Sequence, residues 1–359
     1  MLIAVDPACH RALAGLSVLD RQIIAAHRAG AAGITVVHAG DAPVPTRARE
    51  LGIEFELVRE VPQFRSATLL LAGNLAVQAE DLRRVLAECG RLQDPEKTPL
   101  PCGVAAAWSG EIEGSLPDGP RVTASGVARL VKDDLSAAQV EDDLWDTMGL
   151  DSDSLMDRNF NRPLGRPLSR LLIHTRISPN VISVMATLIG MVAAWCFSRG
   201  THESMILGAM VLQISAVADC VDGDLARMMH KETAAGKWLD FAGGQLVHLC
   251  LFAGMGAGLY QLNDRTGPAL WLGLAVVVGM LIAFVMVLRA KLKPTRHPRL
   301  QSLIQKTAHR DFTLVLLALA IVNRVEWFLW AAVIGVNGFW LLALYWQRQG
   351  RASDERSTP

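Results

Sequence analysis

Two hydrophobic rhythms divide the chain. Up to about residue 130, short apolar runs (LIAV at 2–5, ITVVHAG at 34–40, EFELV at 54–58, TLLLAG at 68–73) alternate with the helical patterns SVLDRQIIAAHRAG and AEDLRRVLAECG. Alternation of this kind predicts a small α/β domain on a mainly parallel sheet. Beyond about Val104 the periodicity fades, and KDDLSAAQVEDDLWDTMGLDSDS reads as a helix running into a charged linker. From Ile177 onward the pattern changes to continuous apolar runs at 177–197, 205–226, 236–260, 269–288 and 326–346. Each is long enough to cross about 30 Å of hydrocarbon. FTLVLLALAIV at 312–322 is shorter and becomes a sixth span if its helix begins near Leu303.

The expected layout is therefore an α/β domain over 1–130, a linker and interfacial helix over 131–175, an all-α membrane domain of six transmembrane helices over 176–347, and a tail over 348–359. In the linker, RNFNRPLGRPLSRLLIHTR repeats Arg158, Arg162, Arg166 and Arg170 every four residues with Leu164, Leu168, Leu171 and Leu172 between them. That pattern predicts a helix lying on anionic headgroups and starting near Pro163 or Pro167.

Composition and charge agree with a membrane protein bearing a soluble part. Of 359 residues 51% are hydrophobic, and the mean hydropathy of +0.28 is too high for an ordinary soluble enzyme. The 35 basic and 35 acidic residues cancel, which removes any bulk electrostatic case for a nucleic-acid partner. Their placement is uneven. With six spans and the N-terminus inside, Arg227, Lys231, Lys237, Arg289, Lys291, Lys293, Arg296, Arg299, Lys306 and Arg310 fall on inner loops, and only Arg199, Arg265 and Arg324 on outer ones. Both termini are then cytoplasmic, in the inner membrane, and MLIAVDPACHRAL lacks the basic start and apolar core of a signal peptide. The six cysteines contain no CxxC pair and read as small buried hydrophobes in a reducing compartment.

The candidate chemistry lies in DCVDGDLARMMHKETAAGKWLDFAGG, at 219–244. Asp219 and Asp222 share a helix face, and Asp240 opens the next span one short loop later. Carboxylates at membrane depth need a cation or a water-filled cavity, and an oxygen-only set favours a hard ion, Mg²⁺ or Mn²⁺. Gly223, Ala226 and Gly236 clear side-chain bulk near the backbone, and Arg227 offers a bidentate donor to phosphate. A metal, an arginine and small residues together point to a nucleoside diphosphate. A cation transporter would explain the carboxylates but not the spacing of the glycines and arginine.

The run Asp219-x2-Asp222-Gly223-x2-Ala226-Arg227-x8-Gly236-x3-Asp240 resembles the signature of the CDP-alcohol phosphotransferase family. The likeness extends back through NRPLGRPLSRLLIHTRISPNVIS and covers roughly 155–346. It implies transfer of a substituted phosphate from a CDP-linked donor to an alcohol acceptor with release of CMP, in a six-helix membrane domain that is commonly a homodimer. It also implies Asp219, Asp222 and Asp240 as metal ligands, Gly223, Ala226, Gly236 and Asn180 around the nucleotide, and Arg227 on phosphate. The family's last aspartate falls on Gly244, so His248, one turn further along the helix, and Glu232 in the loop become candidate bases. Arg289, Lys291 and Arg310 are candidates for an anionic acceptor. The first domain resembles sugar-phosphate nucleotidyltransferases, as in proteins fusing inositol-phosphate cytidylyltransferase to such a phosphotransferase. It reads DPACHRALA where their glycine-rich phosphate loop belongs, and has Asn74 where a metal-binding aspartate is expected. The alternative reading is a catalytically silent relative that binds CDP-lipid and recruits a partner through its soluble domain.

Overall fold

The computed structural model describes residues 1–4, 6–38, 45–62, 67–107, 111–116, 119–149, 153–292 and 312–357. The chain forms two compact units, Met1–Met148 and Gly149–Pro359.

In the first unit the strands are β1 (Leu2–Ala4), β2 (Ala12–Leu13), β3 (Leu16–Ser17), β4 (Thr35–Val37), β5 (Glu56–Val58), β6 (Thr68–Ala72), β7 (Leu75–Val77), β8 (Arg91–Gln93), β9 (Pro99–Ala105), β10 (Arg121–Thr123) and β11 (Ala128–Leu130). Seven of them form one sheet in the order β10-β8-β9-β6-β1-β4-β5. Pairs β1/β4, β1/β6, β4/β5 and β8/β10 are parallel, while β9 runs antiparallel to both β6 and β8. The sheet is therefore mixed, with β9 inserted antiparallel between β6 and β8. Helices α1 (Val18–Arg28), α2 (Thr46–Glu50), α3 (Ala79–Glu88), α4 (Ile112–Ser115) and α5 (Asp134–Asp146) complete the unit. Ile3, Ile23, Val36, Leu71, Leu82 and Val85 are fully buried in its core.

Helix α5 belongs to this unit, where the sequence reading has a linker. Val140 and Trp145 are buried, and the Glu141 carboxylate accepts a hydrogen bond from the Ala14 amide at 2.8 Å. Where a phosphate cradle would follow β1, the chain makes a short 3₁₀ turn, Pro7–His10, and the β2–β3 hairpin. Buried Arg21 donates to the carbonyls of Leu13 and Ala14, so the hairpin's polar groups are satisfied from within. Burial pushes the Cys9 thiol up to about 11 and the Cys102 thiol up to about 12, as expected for inert buried cysteines, whereas Cys89 is exposed.

The second unit begins with a π-helical turn, Asp157–Asn161, leading into α6 (Arg162–Leu172). Then come α7 (Pro179–Ser198), α8 (His202–Met228), α9 (Ala234–Leu262), α10 (Ala269–Leu292), α11 (Thr313–Ile321) and α12 (Val325–Ser357). Five of these, α7 to α10 and α12, are long and apolar enough to cross a membrane, making this a multi-pass domain. The described part of α11 is nine residues, short of a span. A shared core of Phe197, Leu251, Met255, Leu316, Ala320 and Leu329 joins the helices. Helices α7 and α9 touch backbone to backbone: a Cβ on Gly254 would collide with the Ala194 carbonyl, and one on Gly258 with that of Phe197. Close approach through glycine is how helices pack where lipid removes the hydrophobic drive.

Exposed tryptophans mark the two ends of the bundle. Trp195 near the end of α7, Trp271 at the start of α10, and Trp327 and Trp330 at the start of α12 form one group. Trp238 and Tyr345 lie towards the opposite ends of α9 and α12. Two aromatic belts are the expected mark of two membrane–water interfaces.

Candidate metal and nucleotide site

Three helix ends meet in the membrane unit. Helix α8 brings Asp219 and Asp222 on one face near its C-terminus, and the loop from Met229 turns through His230 in the left-handed region (φ 52°). The Thr233 hydroxyl then caps α9 by accepting from the Gly236 amide at 2.9 Å, which sets Asp240 nearly two turns inside that helix. As a result, ligand oxygens of Asp219, Asp222 and Asp240 lie within 4.8 Å of one another. Asp222 is 5% exposed, and its Oδ2 has no hydrogen-bond partner among the described residues. A buried carboxylate oxygen without a donor is costly, and a divalent cation offsets that cost. The donor set is all oxygen and rigidly helical, so these residues fit Mg²⁺ or Mn²⁺.

Beside the carboxylates an open cleft of about 120 Å³ is lined by Pro179, Asn180 and Ser183 of α7, Asp222, Gly223, Ala226 and Arg227 of α8, the loop Lys231–Thr233, and Gly236, Lys237 and Asp240 of α9. Each glycine has a local reason. A Cβ on Gly236 would stand 2.9 Å from Asn180 Oδ1, and one on Gly223 would stand 3.1 Å from an Arg227 guanidinium nitrogen. The N-termini of both α7 and α9 open on the cleft, where backbone N–H groups and the helix dipole favour negative charge.

The sequence reading is thus gathered in one place for Asp219, Asp222, Asp240, Gly223, Ala226, Arg227, Gly236 and Asn180. Other candidates fall elsewhere. His248 is outside the carboxylate group, and its ring packs against Phe312 at 5.5 Å between centroids. Arg289 is exposed on α10 and does not line the cleft, while the Lys291 side chain and Arg310 lie outside the described residues. Glu232 does line the cleft, 3.8 Å from Lys237 Nζ. Ser183, Lys231, Thr233 and Lys237 are additions to the sequence reading. Of these only Thr233 carries a local signal, as a threonine three residues before a helical glycine.

Arg162 is the sharpest correction. It does not face headgroups with Arg158, Arg166 and Arg170: its side chain is 11% exposed and sits between Asp153 and Asp224. Its place in the four-residue repeat concealed this, because i,i+4 spacing cannot distinguish a lipid-facing arginine from one turned inward.

Residues 176–340 match the sequence model of the CDP-alcohol phosphatidyltransferase family. The membrane unit carries a CDP-alcohol phosphatidyltransferase domain. Among curated proteins, the chain is 34% identical over 88 residues to a bifunctional IPC transferase and DIPP synthase of Aquifex aeolicus, and 30% identical over 88 residues to one of Thermococcus kodakarensis. These alignments cover 24% of this chain and 19% of each relative, so the chain spans about a fifth of the length of the curated relatives it matches. Among solved structures, a phosphatidylinositol phosphate synthase of Mycobacterium tuberculosis with CDP-DAG bound is matched at 18% identity and a TM-score of 0.39, over 51% of this chain and 92% of that one.

Proposed function

We propose that this CDP-alcohol phosphatidyltransferase domain transfers a substituted phosphate from a CDP-linked donor, a CDP-alcohol or CDP-diacylglycerol, to the hydroxyl of an alcohol acceptor. The acceptor oxygen forms a bond to the donor phosphorus, the bond to the CMP oxygen breaks, and the hydroxyl proton leaves. The observation that carries this reading is the convergence of three carboxylates, two of them, Asp222 and Asp240, lining with Arg227 a cleft fronted by two helix N-termini.

Asp219, Asp222 and Asp240 would hold the Mg²⁺ or Mn²⁺. When bound, the cation supplies Lewis-acid stabilisation of charge developing on the transferring phosphoryl oxygens. Arg227, which lines the cleft, binds a non-bridging phosphate oxygen. Gly223 and Gly236 let the diphosphate approach the backbone, and Asn180 reaches Gly236 across the cleft, where a nucleoside would rest. Donors already fixed in place cost little reorganisation as charge develops.

Six spans fit this reading. The His202 ring nitrogen Nε2 lies 2.9 Å from the Ala320 carbonyl, so the end of α11 stands beside the start of α8, as it would after an outward crossing. The site then faces the cytoplasm of an inner membrane, with both termini on that side. The homodimer rests on the family resemblance alone.

The test is purified protein in lipid, given Mg²⁺ or Mn²⁺ and a panel of CDP-linked donors and alcohol acceptors, with CMP release followed. Metal-dependent CMP formation is expected from at least one pair, and Asp222→Asn should lower it by about 100-fold or more. Saturable CDP binding with no CMP from any pair would instead identify a silent binder.

A further inference from the structure

The nucleotide cleft is backed by a buried charge relay that reaches outside the motif. Arg227 Nη2 donates to Asp224 Oδ1 at 2.8 Å. The same oxygen accepts from Arg162 Nη1, and Arg162 Nη2 donates to Asp153 Oδ1 at 2.7 Å with Nε 2.7 Å from Oδ2. Side-chain exposures are 7% for Asp153, 11% for Arg162, 5% for Asp224 and 20% for Arg227. Two cations and two anions so buried are balanced only as a set, because removing one leaves its neighbour charged and unpaired in a poorly solvated place. The set is also fixed in space. Gly165 lets α6 lie close on α8, where a Cβ would stand 3.0 Å from Val221, and Asn161 accepts from Gln213 Nε2 at 2.5 Å.

Within this set Asp224 has two claimants. Alone with Arg227 it would form a closed ion pair, and the guanidinium would have little charge left for a ligand. With Arg162 on the same oxygen, the carboxylate is shared, and Arg227 keeps its orientation together with much of its positive charge. Arg227 is the member that faces the cleft, while Arg162 and Asp153 do not line it.

We propose that Arg162, acting through Asp224, is a positioning residue for the phosphate-binding Arg227. The helix leading into the membrane domain is thereby coupled to donor affinity. The inference rests on the reading of the cleft as a CDP-donor site.

The experiment is equilibrium binding of CDP in the presence of Mg²⁺ to the full chain in lipid nanodiscs, for wild type, Arg162→Gln, Arg227→Gln and the double variant. Removing a hydrogen bond to a charged group corresponds to about 10-fold or more in affinity. Arg162→Gln should therefore weaken CDP about 10-fold, and Arg162→Lys, which keeps the charge, should recover part of that loss. In the double variant CDP should bind no more than about 2-fold weaker than in Arg227→Gln alone, since coupled residues are not additive. Mn²⁺ affinity, read in parallel, should stay near wild type in every variant and certifies an intact carboxylate group. Wild-type CDP affinity in Arg162→Gln, or fully additive losses in the double variant, would overturn the proposal. If Arg162→Gln does not fold, Asp153→Asn loosens the same arginine from its other side. A loss of a few fold that vanishes in the Arg227→Gln background then supports the proposal, and no loss overturns it. Absence of CDP binding by the wild type would defeat the donor-site reading itself, a result distinct from either.

Discussion

At the scale of single residues, the motif positions were legible because each answers a local demand. Asp219 and Asp222 need only i,i+3 spacing to share a face, and Gly236 is glycine because Asn180 occupies the space of a Cβ. Arg162 and Asp224 were not legible, since their partnership spans 62 positions and nothing local distinguishes a buried arginine from its exposed neighbours. Gly244 and His248 form a contrasting pair. Gly244 is half-buried, one turn beyond Asp240, whereas the His248 ring lies against Phe312, outside the carboxylate group. His248→Ala should therefore leave CMP release within about two-fold of wild type, below the hundredfold or more that losing a general base costs. Gly244→Asp, which restores a carboxylate one turn from Asp240, should raise the rate at saturating metal by about 10-fold or more. A His248→Ala variant as slow as one lacking its base would return the histidine to the mechanism.

At the scale of elements, the long apolar helices were visible from the apolar runs, and their limits came out within a few residues except in α12, which continues to Ser357 through the stretch read as a tail. What periodicity could not supply was partnership. Strand β9 was unreadable because PLPCGVA carries no clean alternation, and its antiparallel insertion between β6 and β8 is a tertiary choice. Helix α5 passed for a linker because its charged face dominates the sequence, while Val140 and Trp145 do the packing. In the membrane unit, the contact between α7 and α9 depends on glycines that no hydropathy profile weights. Gly258→Ala would press a methyl group into the Phe197 carbonyl, so the helices must part. Overpacking of this kind costs about 1–3 kcal/mol. A loss of several degrees in the thermal midpoint of the detergent-solubilised protein is expected, and an unchanged midpoint would refute the close packing.

At the scale of the whole molecule, the chain joins an α/β unit to a multi-pass unit bearing a CDP-alcohol phosphatidyltransferase domain. The first unit fills its own loop after β1 with a 3₁₀ turn, a hairpin and the buried Arg21 guanidinium, and the carboxylate cluster lies in the second. There the burial of Asp222 makes its carboxylate costly alone and a cation shared with Asp219 and Asp240 correspondingly favourable. Metal and nucleotide should then assist each other's binding reciprocally, as linked ligands must. The central claim is that Asp219, Asp222 and Asp240 hold a divalent ion against a CDP diphosphate, and titration with Mn²⁺ followed by electron paramagnetic resonance tests it most directly. Saturable Mn²⁺ uptake is predicted for the wild type, tightened by added CDP and abolished in Asp222→Asn. Equal uptake by wild type and Asp222→Asn, or Mn²⁺ affinity indifferent to CDP, would contradict it.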